Sequence, residues 1–229
     1  MQLADLSWTM VQSLSKDTPI IFPLAALEQH GSHLPLFTDS FLLGEIVRRA
    51  AEKVNNRVVW APLTWLGNSD HHLDFAGTLS APPRTYLDLL GGLFENFIQH
   101  GFRRLVFVNG HGGNDVPGKQ AVFEVRQRHR QREDLLLLFA TYWNLAEESR
   151  LAALKLRQTE MGHACEWETS MMLRLAPGLV KEFEKIEPVE AGMGFAPGTR
   201  GWITMERTVP GHIGHPREAS VEKGEALFK

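Results

Sequence analysis

The stretch that decides the fold runs Leu105-Val-Phe-Val-Asn-Gly-His-Gly-Gly-Asn114. It opens with four apolar residues, which predict a buried strand, and it ends in glycines that let the backbone turn tightly. A helical pattern follows at once, over residues 115–130. A buried strand that passes through a glycine-rich turn into a helix is typical of α/β proteins with a parallel sheet.

The same alternation extends to both sides of this stretch. Apolar runs predict strands at residues 19–24, 57–63, 105–108 and 135–140, and helical spacing predicts helices at 40–54, 84–100, 115–130 and 166–175. We therefore expect one α/β domain over residues 1–229, with a mostly parallel central sheet and helices on both of its faces. In such sheets ligands bind beyond the carboxyl ends of the strands.

Composition excludes several function classes. The chain has 229 residues, 43% hydrophobic and 22% charged, with a formal net charge of −3, as expected for a globular domain. It has no Lys/Arg stripe that would track a nucleic acid and no apolar run near the roughly 20 residues of a membrane span. A single cysteine, Cys165, and no signal-peptide pattern predict a cytoplasmic protein. We interpret Cys165 as a packed small residue rather than a ligand or nucleophile.

The first polar motif follows the strand at 19–24 and contains Glu28, His30 and Asp39. Glu28 and His30 are two residues apart, so in extended backbone both side chains point to one face. Two carboxylates and an imidazole within twelve residues suit a divalent transition metal. The alternative is a polar loop in which Asp39 only caps the following helix.

The second motif is the turn that carries His111. Its glycines allow close approach of the backbone to a ligand, and a phosphate-binding turn is an alternative. The Gly-Lys-Ser/Thr ending of a P-loop is missing, which weakens that alternative. We keep His111 as a candidate metal ligand.

A third motif, His163-Ala-Cys-Glu166-Trp-Glu168, opens a helix. Acidic residues in a first turn are favoured by the helix dipole alone, so the two glutamates are either catalytic or merely stabilising. The adjacent His71 and His72 fall in a loop, where they could bind metal or substrate or simply face solvent. Trp143, after the strand at 135–140, is either a substrate-pocket wall or core.

Taken in order, these motifs resemble the creatininase (creatinine amidohydrolase) family over nearly the whole chain. The matching pieces are Glu28-Gln-His30-Gly31 with Asp39, Gly77-Thr78, Asn109-Gly-His111, Glu168-Thr-Ser170 and a late stretch over residues 214–225.

The resemblance implies two divalent metal ions per chain, zinc and/or manganese, with iron as an alternative. On the family template Glu28 and His111 would bind one ion, His30 would bind the other, and Asp39 would bridge the two. A family carboxylate two residues after the histidine is replaced here by Gly113.

Relatives that share this glycine carry a glutamate at the position of Glu166, so we predict that Glu166 fills the vacancy. Glu168 competes for this role, since it occupies the position that the family shares more widely, and it is otherwise a catalytic candidate.

The resemblance also implies a mechanism and a substrate class. The metals would activate a water and polarise a carbonyl, while His163 would shuttle a proton to the leaving amine. Trp143, His72 and Thr78 are the candidate substrate-binding residues. The expected reaction hydrolyses a C–N bond other than an ordinary peptide bond, in a cyclic amide, a formamide or a short peptide-like molecule.

Creatinine itself is less expected, because Gly112 and Thr159 stand where creatininase carries aromatic residues. The family further implies a small-molecule substrate and a homo-oligomer, such as a hexamer. Alternatives are another dinuclear metallohydrolase, such as a phosphoesterase, and a non-catalytic metal-binding scaffold.

Overall fold

The computed structural model of the chain describes residues 1–146, 152, 154–190 and 198–229. Four parallel strands form one sheet in the order β2-β1-β3-β4. Their bounds are β1 Ile20–Leu24, β2 Val59–Trp60, β3 Arg104–Asn109 and β4 Leu136–Thr141. This sheet, surrounded in sequence by helices, confirms the predicted α/β class.

The central position of β1 explains its apolar sequence. All five of its residues are buried, and successive side chains of a strand point to opposite faces, so both faces of the strand are covered. The register pairs Leu24 with Asn109. Both residues lie at the carboxyl ends of their strands, where the polar motifs follow.

The strand predicted at 57–63 was too long, because β2 has only two residues. Proline has no N–H group for a sheet hydrogen bond, and Pro62 interrupts the pairing with β1. Contact resumes past the proline, where the N–H of Ala25 donates to the carbonyl oxygen of Thr64 at 2.8 Å.

The four predicted helices begin and end within two residues of their expected bounds. The α-helices are α1 Trp8–Ser13, α2 Thr38–Val54, α3 Pro83–Gln99, α4 Asp115–Arg128, α5 Glu166–Leu175, α6 Thr204–Arg207 and α7 Val221–Leu227. Pro83 occupies the first turn of α3, where its missing N–H costs nothing. None of the helices in the described part of the chain has the length and hydropathy of a membrane span.

The chain divides into two compact units. The first contains Met1–Ala26, Leu43–Asn68 and Ala81–Leu145, and the second contains Leu27–Leu42, Ser69–Ser80 and Ala146–Lys229. The sheet, α1, α3 and α4 belong to the first unit, and α5, α6 and α7 to the second. The expectation of one domain over 1–229 stays a prediction.

Aromatic packing forms the core of the first unit. The rings of Phe94 on α3 and Phe107 on β3 stack at 4.0 Å with an interplanar angle of 3°, and Phe22 of β1 packs against both. On α4, Gly118 faces the ring of Phe139 so closely that a Cβ atom there would collide with it. This glycine therefore sets the distance between α4 and β4.

The second unit packs α7 against α5. Met171 and Met172 of α5 are fully buried, and Gly224 of α7 lies so close to the carbonyl of Ser170 that no side chain fits between them. The hydroxyl of Ser220 accepts a hydrogen bond from the N–H of Lys223 and caps α7.

Two glycine substitutions with opposite expected effects on the free energy of unfolding test this packing. We expect Gly118→Ala to lower the free energy of unfolding by about 1–3 kcal/mol, because the added methyl group overlaps the Phe139 ring. Gly92→Ala, in the exposed interior of α3 with no atom near the added methyl group, should raise it by about 0.5–1 kcal/mol. Chemical denaturation measures both values. A stabilised Gly118→Ala protein would contradict the close packing.

Candidate active site

The segment Leu27–Leu42 carries three of the predicted ligands into the second unit. Antiparallel bridges at Leu27 and His30 hold the backbone, and Gly31 turns it with φ +62°, a conformation that glycine adopts without strain. The side chains of Glu28, His30 and Asp39 are buried. Asp39 lies in the first turn of α2.

Other segments of the same unit bring further titratable groups. A short 3-10 helix, Asp70–His72, presents the buried side chain of His72. His163 pairs with Ile213 through two backbone hydrogen bonds, of 3.0 and 2.7 Å. Glu168 lies in the first turn of α5 and is also buried.

These side chains form one cluster, which we call the Glu28 cluster and define as Glu28, His30, Asp39, His72, His163 and Glu168. His30 Nε2 lies 3.1 Å from Asp39 Oδ1 and 3.6 Å from Glu168 Oε1. Glu28 Oε1 lies 3.4 Å from His72 Nε2 and 3.7 Å from His163 Nδ1. The ring of His163 stacks on that of His72, with centroids 4.3 Å apart.

The cluster shifts the pKa values of His30 and His163 in opposite directions. Burial opposes protonation of His30, but the carboxylates of Asp39 and Glu168 outweigh it and raise its pKa well above the ordinary value. Burial lowers the pKa of His163 well below the ordinary value, and the neighbouring His30 and His72 add to that effect. At neutral pH His163 is therefore a neutral imidazole with one free ring lone pair.

The donor set fits a divalent transition metal. Three groups of ligand atoms within the second unit lie within 4.8 Å of one another, namely Glu28/His72/His163, His30/His163/Glu168 and Glu28/His30/Asp39. Imidazole nitrogens combined with carboxylate oxygens suit zinc, manganese and iron. Such a concentration of buried carboxylates also needs a compensating positive charge.

Of the two glutamates of α5, Glu168 and not Glu166 lies in these groups of possible ligand atoms, and the ligand role of Glu166 stays a prediction. The Glu166 carboxylate is fully buried, but Lys223 Nζ lies 2.6 Å from its Oε1, and the N–H of Arg157 donates to its Oε2 at 2.7 Å. Among the described residues, Glu166 occurs in none of the groups of ligand atoms. Its carboxylate instead ties α5 to α7.

His111 and Trp143 belong to the first unit. His111 is buried, its Nε2–H donates to the carbonyl oxygen of Asn68 at 2.9 Å, and its backbone is held by Asn109. Trp143 is half-buried, with its ring 5.0 Å from that of Tyr142. The ligand role of His111 and the substrate role of Trp143 stay predictions.

The two other substrate-binding candidates lie within the second unit. The hydroxyl of Thr78 accepts a hydrogen bond from the N–H of Gln29 at 3.0 Å, so it fixes the backbone between Glu28 and His30. His72 lies inside the Glu28 cluster. Their contacts with substrate stay predictions.

Cys165 is fully buried, and burial raises the pKa of its thiol to about 12. A thiol with this pKa is protonated at neutral pH and therefore a poor nucleophile. This agrees with the interpretation of Cys165 as a packed small residue.

Sequence reasoning gave no role to Gln29, which proves to be a centre of hydrogen bonding. Its buried amide contacts His72, His163 and the backbone of Gly211. The available signal was its position between two predicted ligands, Glu28 and His30.

Comparison with known proteins places this geometry in a family. The family described as "Creatininase: Creatinine amidohydrolase" matches residues 4–229. Creatinine amidohydrolase of Pseudomonas putida is 26% identical over 242 residues, which cover 99% of this chain and 91% of that protein. Mycofactocin precursor peptide peptidase of Mycobacterium ulcerans (strain Agy99) is 30% identical over 241 residues, covering 99% of this chain and 86% of that protein.

Solved structures of creatininases have the same fold as this chain. A structure described as "Creatininase Mn" has a TM-score of 0.84 at 25% identity and covers 99% of this chain and 92% of its own. A creatininase variant described as the Zn-Zn type has a TM-score of 0.83 with the same identity and coverage. With a family match over nearly all of its residues and the predicted fold, this chain belongs to the creatininase family and is a hydrolase of that family.

Proposed function

We propose that this protein is a metal-dependent hydrolase of a C–N bond in a cyclic amide, a formamide or a short peptide-like substrate. The observation that carries the proposal is the Glu28 cluster, in which three carboxylates and three imidazoles are gathered and almost entirely shielded from solvent. A structural role alone does not explain such a cluster, because burying three carboxylates close together is costly unless enough positive charge compensates them.

The proposed cofactors are two divalent ions per chain, zinc or manganese, with iron as an alternative. Within the second unit Glu28, His30, Asp39 and Glu168 would hold them. When bound, such ions polarise a carbonyl and lower the pKa of water towards neutrality. The ligand types support this choice, as do the metals named for the two solved creatininases.

Of the cluster's own residues, His163 is suited to moving a proton. Its Nδ1 faces Glu28 Oε1, and its lowered pKa leaves the ring neutral and able to accept a proton at neutral pH. The same nitrogen can then return the proton to the departing amine. His163 is only 16% exposed, so bulk water has limited access to this transfer.

The substrate class rests on the named activities of the relatives. One acts on creatinine by its name, and another is a precursor-peptide peptidase, so the proposal covers both a small cyclic amide and the end of a short peptide. Gly112 and Thr159 stand where creatininase has aromatic residues, which favours a substrate other than creatinine. The family resemblance also supports a homo-oligomer, such as a hexamer.

Metal content tests the cofactor proposal. We expect about two divalent ions per chain in protein purified without chelator, and loss of most of this metal in Asp39→Asn, since the amide weakens a ligand to both ions. Asp74→Asn, an exposed carboxylate of the same unit, is the matched control and should keep the metal. Elemental analysis measures all three proteins. Equal metal in the two variants would rule out Asp39 as a ligand.

Paired glutamine substitutions separate the two glutamates of α5. Glu168→Gln should lose metal, because Glu168 belongs to a ligand group. Glu166→Gln should keep metal but lower the free energy of unfolding by about 1–3 kcal/mol, because Lys223 and the Arg157 N–H lose a charged acceptor. Elemental analysis and chemical denaturation provide the two readouts. Metal loss confined to Glu166→Gln would reverse the assignment.

A chelation experiment tests the reaction class. We expect release of an amine or a new carboxylate from at least one of three probe sets, namely creatinine and other cyclic amides, aryl formamides, and short peptides. Chelator should reduce turnover at least 100-fold, and zinc or manganese should restore it. An aryl phosphoester is assayed beside them, and turnover of this ester alone would establish the phosphoesterase alternative. Metal-loaded protein that hydrolyses none of these probes would favour the scaffold.

A further inference from the structure

The side-chain amide of Gln29 has one permitted orientation. Its Oε1 accepts a hydrogen bond from the N–H of Gly31 at 2.9 Å, and its Nε2 donates to the carbonyl oxygen of Gly211 at 2.7 Å. Exchanging the two amide atoms would set a donor against a donor and an acceptor against an acceptor. The backbone of the second unit therefore fixes which way the amide points.

The two hydrogens of Gln29 Nε2 meet three neighbours. Besides the Gly211 carbonyl, His72 Nδ1 lies 2.9 Å away and His163 Nε2 lies 3.0 Å away. The carbonyl oxygen can only accept, so it takes one hydrogen. One hydrogen is left for two imidazole nitrogens.

The backbone of Gln29 determines which of the two imidazole nitrogens accepts this hydrogen. His163 Nε2 lies 2.8 Å from the carbonyl oxygen of Gln29, which accepts and cannot donate, so this nitrogen must carry a hydrogen. A protonated nitrogen cannot also accept from the Gln29 amide. The remaining amide hydrogen therefore goes to His72 Nδ1, which must present a bare lone pair.

Thr204 adds to the same arrangement. Its hydroxyl lies 2.8 Å from His72 Nδ1; because a hydroxyl can donate or accept, this contact is compatible with a bare Nδ1, and the Gln29 amide decides the tautomer. A hydrogen on His72 Nδ1 would instead face the N–H of Gln29 at 2.9 Å, donor against donor.

We infer that Gln29 is a positioning residue that fixes the Nε2–H tautomer on two stacked imidazoles, those of His72 and His163. His72 carries its hydrogen on Nε2 and points that N–H towards Glu28 Oε1. His163 carries its hydrogen on Nε2, held by the Gln29 carbonyl, and turns the other nitrogen, Nδ1, towards the same carboxylate oxygen. His72 thus presents an N–H to Glu28 Oε1, whereas His163 presents a bare lone pair on Nδ1.

In this assignment the two rings present different groups to Glu28 Oε1. His163 presents its lone pair at Nδ1, and His72 presents its N–H at Nε2, 3.4 Å from Glu28 Oε1. Outer-shell partners fix imidazole tautomers in the same way in metal sites. The catalytic meaning rests on the proposed function, but the tautomers are a property of the metal-free chain.

The experiment is two-bond ¹H–¹⁵N correlation NMR of metal-free protein labelled with ¹⁵N-histidine, near pH 8, where an ordinary imidazole is neutral. Protonated and bare ring nitrogens differ strongly in ¹⁵N chemical shift. His72→Asn and His163→Asn assign the two rings. We expect both rings of the wild type to carry the hydrogen on Nε2, with a bare Nδ1.

Three variants test whether Gln29 sets these states. In Gln29→Glu the carboxylate faces His72 and accepts, so the His72 hydrogen should move to Nδ1, while His163 keeps its state through the backbone carbonyl. Gln29→Leu should leave His72 a mixture of tautomers. Gln158→Leu removes another amide that bridges backbone groups of the same unit, and should change neither ring.

A hydrogen on His72 Nδ1 in the wild type would overturn the inference, and so would an unchanged His72 in folded Gln29→Glu. If Gln29→Leu fails to fold, the isosteric Gln29→Glu still decides the question. Wild-type protein with the expected tautomers but no metal binding would leave this inference intact and contradict the proposed function. The two failures can thus be told apart.

Discussion

The burial of three carboxylates beside three imidazoles is the constraint on which the second unit depends. Carboxylates in a protein interior need positive charge or hydrogen bonds in compensation, and a single protonated imidazole supplies only part of it. His30 provides some of this charge through Asp39 and Glu168. A divalent metal is the compensating charge that best matches the remaining nitrogen and oxygen ligands.

The backbone around the cluster is held correspondingly tightly. The Thr78 hydroxyl holds the N–H of Gln29, the paired backbones of His163 and Ile213 hold the imidazole of His163 in place, and Gly31 makes the turn that separates His30 from the rest of its loop. These contacts come from distant parts of the sequence. They hold the side chains of the cluster in place, as a site that must keep precise geometry requires.

Local sequence patterns predicted most of the fold, because strand and helix periodicity are local properties. The apolar run at 105–108 and the helical spacing that follows it fall where β3 and α4 lie. The strand at 57–63 was overestimated since apolar composition outweighed Pro62 in the prediction. The division into two units depends on contacts between segments far apart in sequence, so periodicity gave no sign of it.

The part of the site formed by residues close in sequence was predictable. The part that depends on contacts with residues far along the chain was not. Glu28, His30 and Asp39 lie within twelve residues and were expected together. The ion pair that separates Glu166 from Glu168 depends on Lys223, which lies far along the chain and contacts the Glu166 carboxylate. The contacts of Gln29 likewise depend on Gly211, 182 residues away.

Anomalous diffraction at the zinc edge, from crystals of the zinc-loaded protein, tests the central claim most directly. The account predicts a peak within about 2.2 Å of ligand atoms of both His30 and Asp39, and a zinc-loaded crystal without a peak there would contradict it.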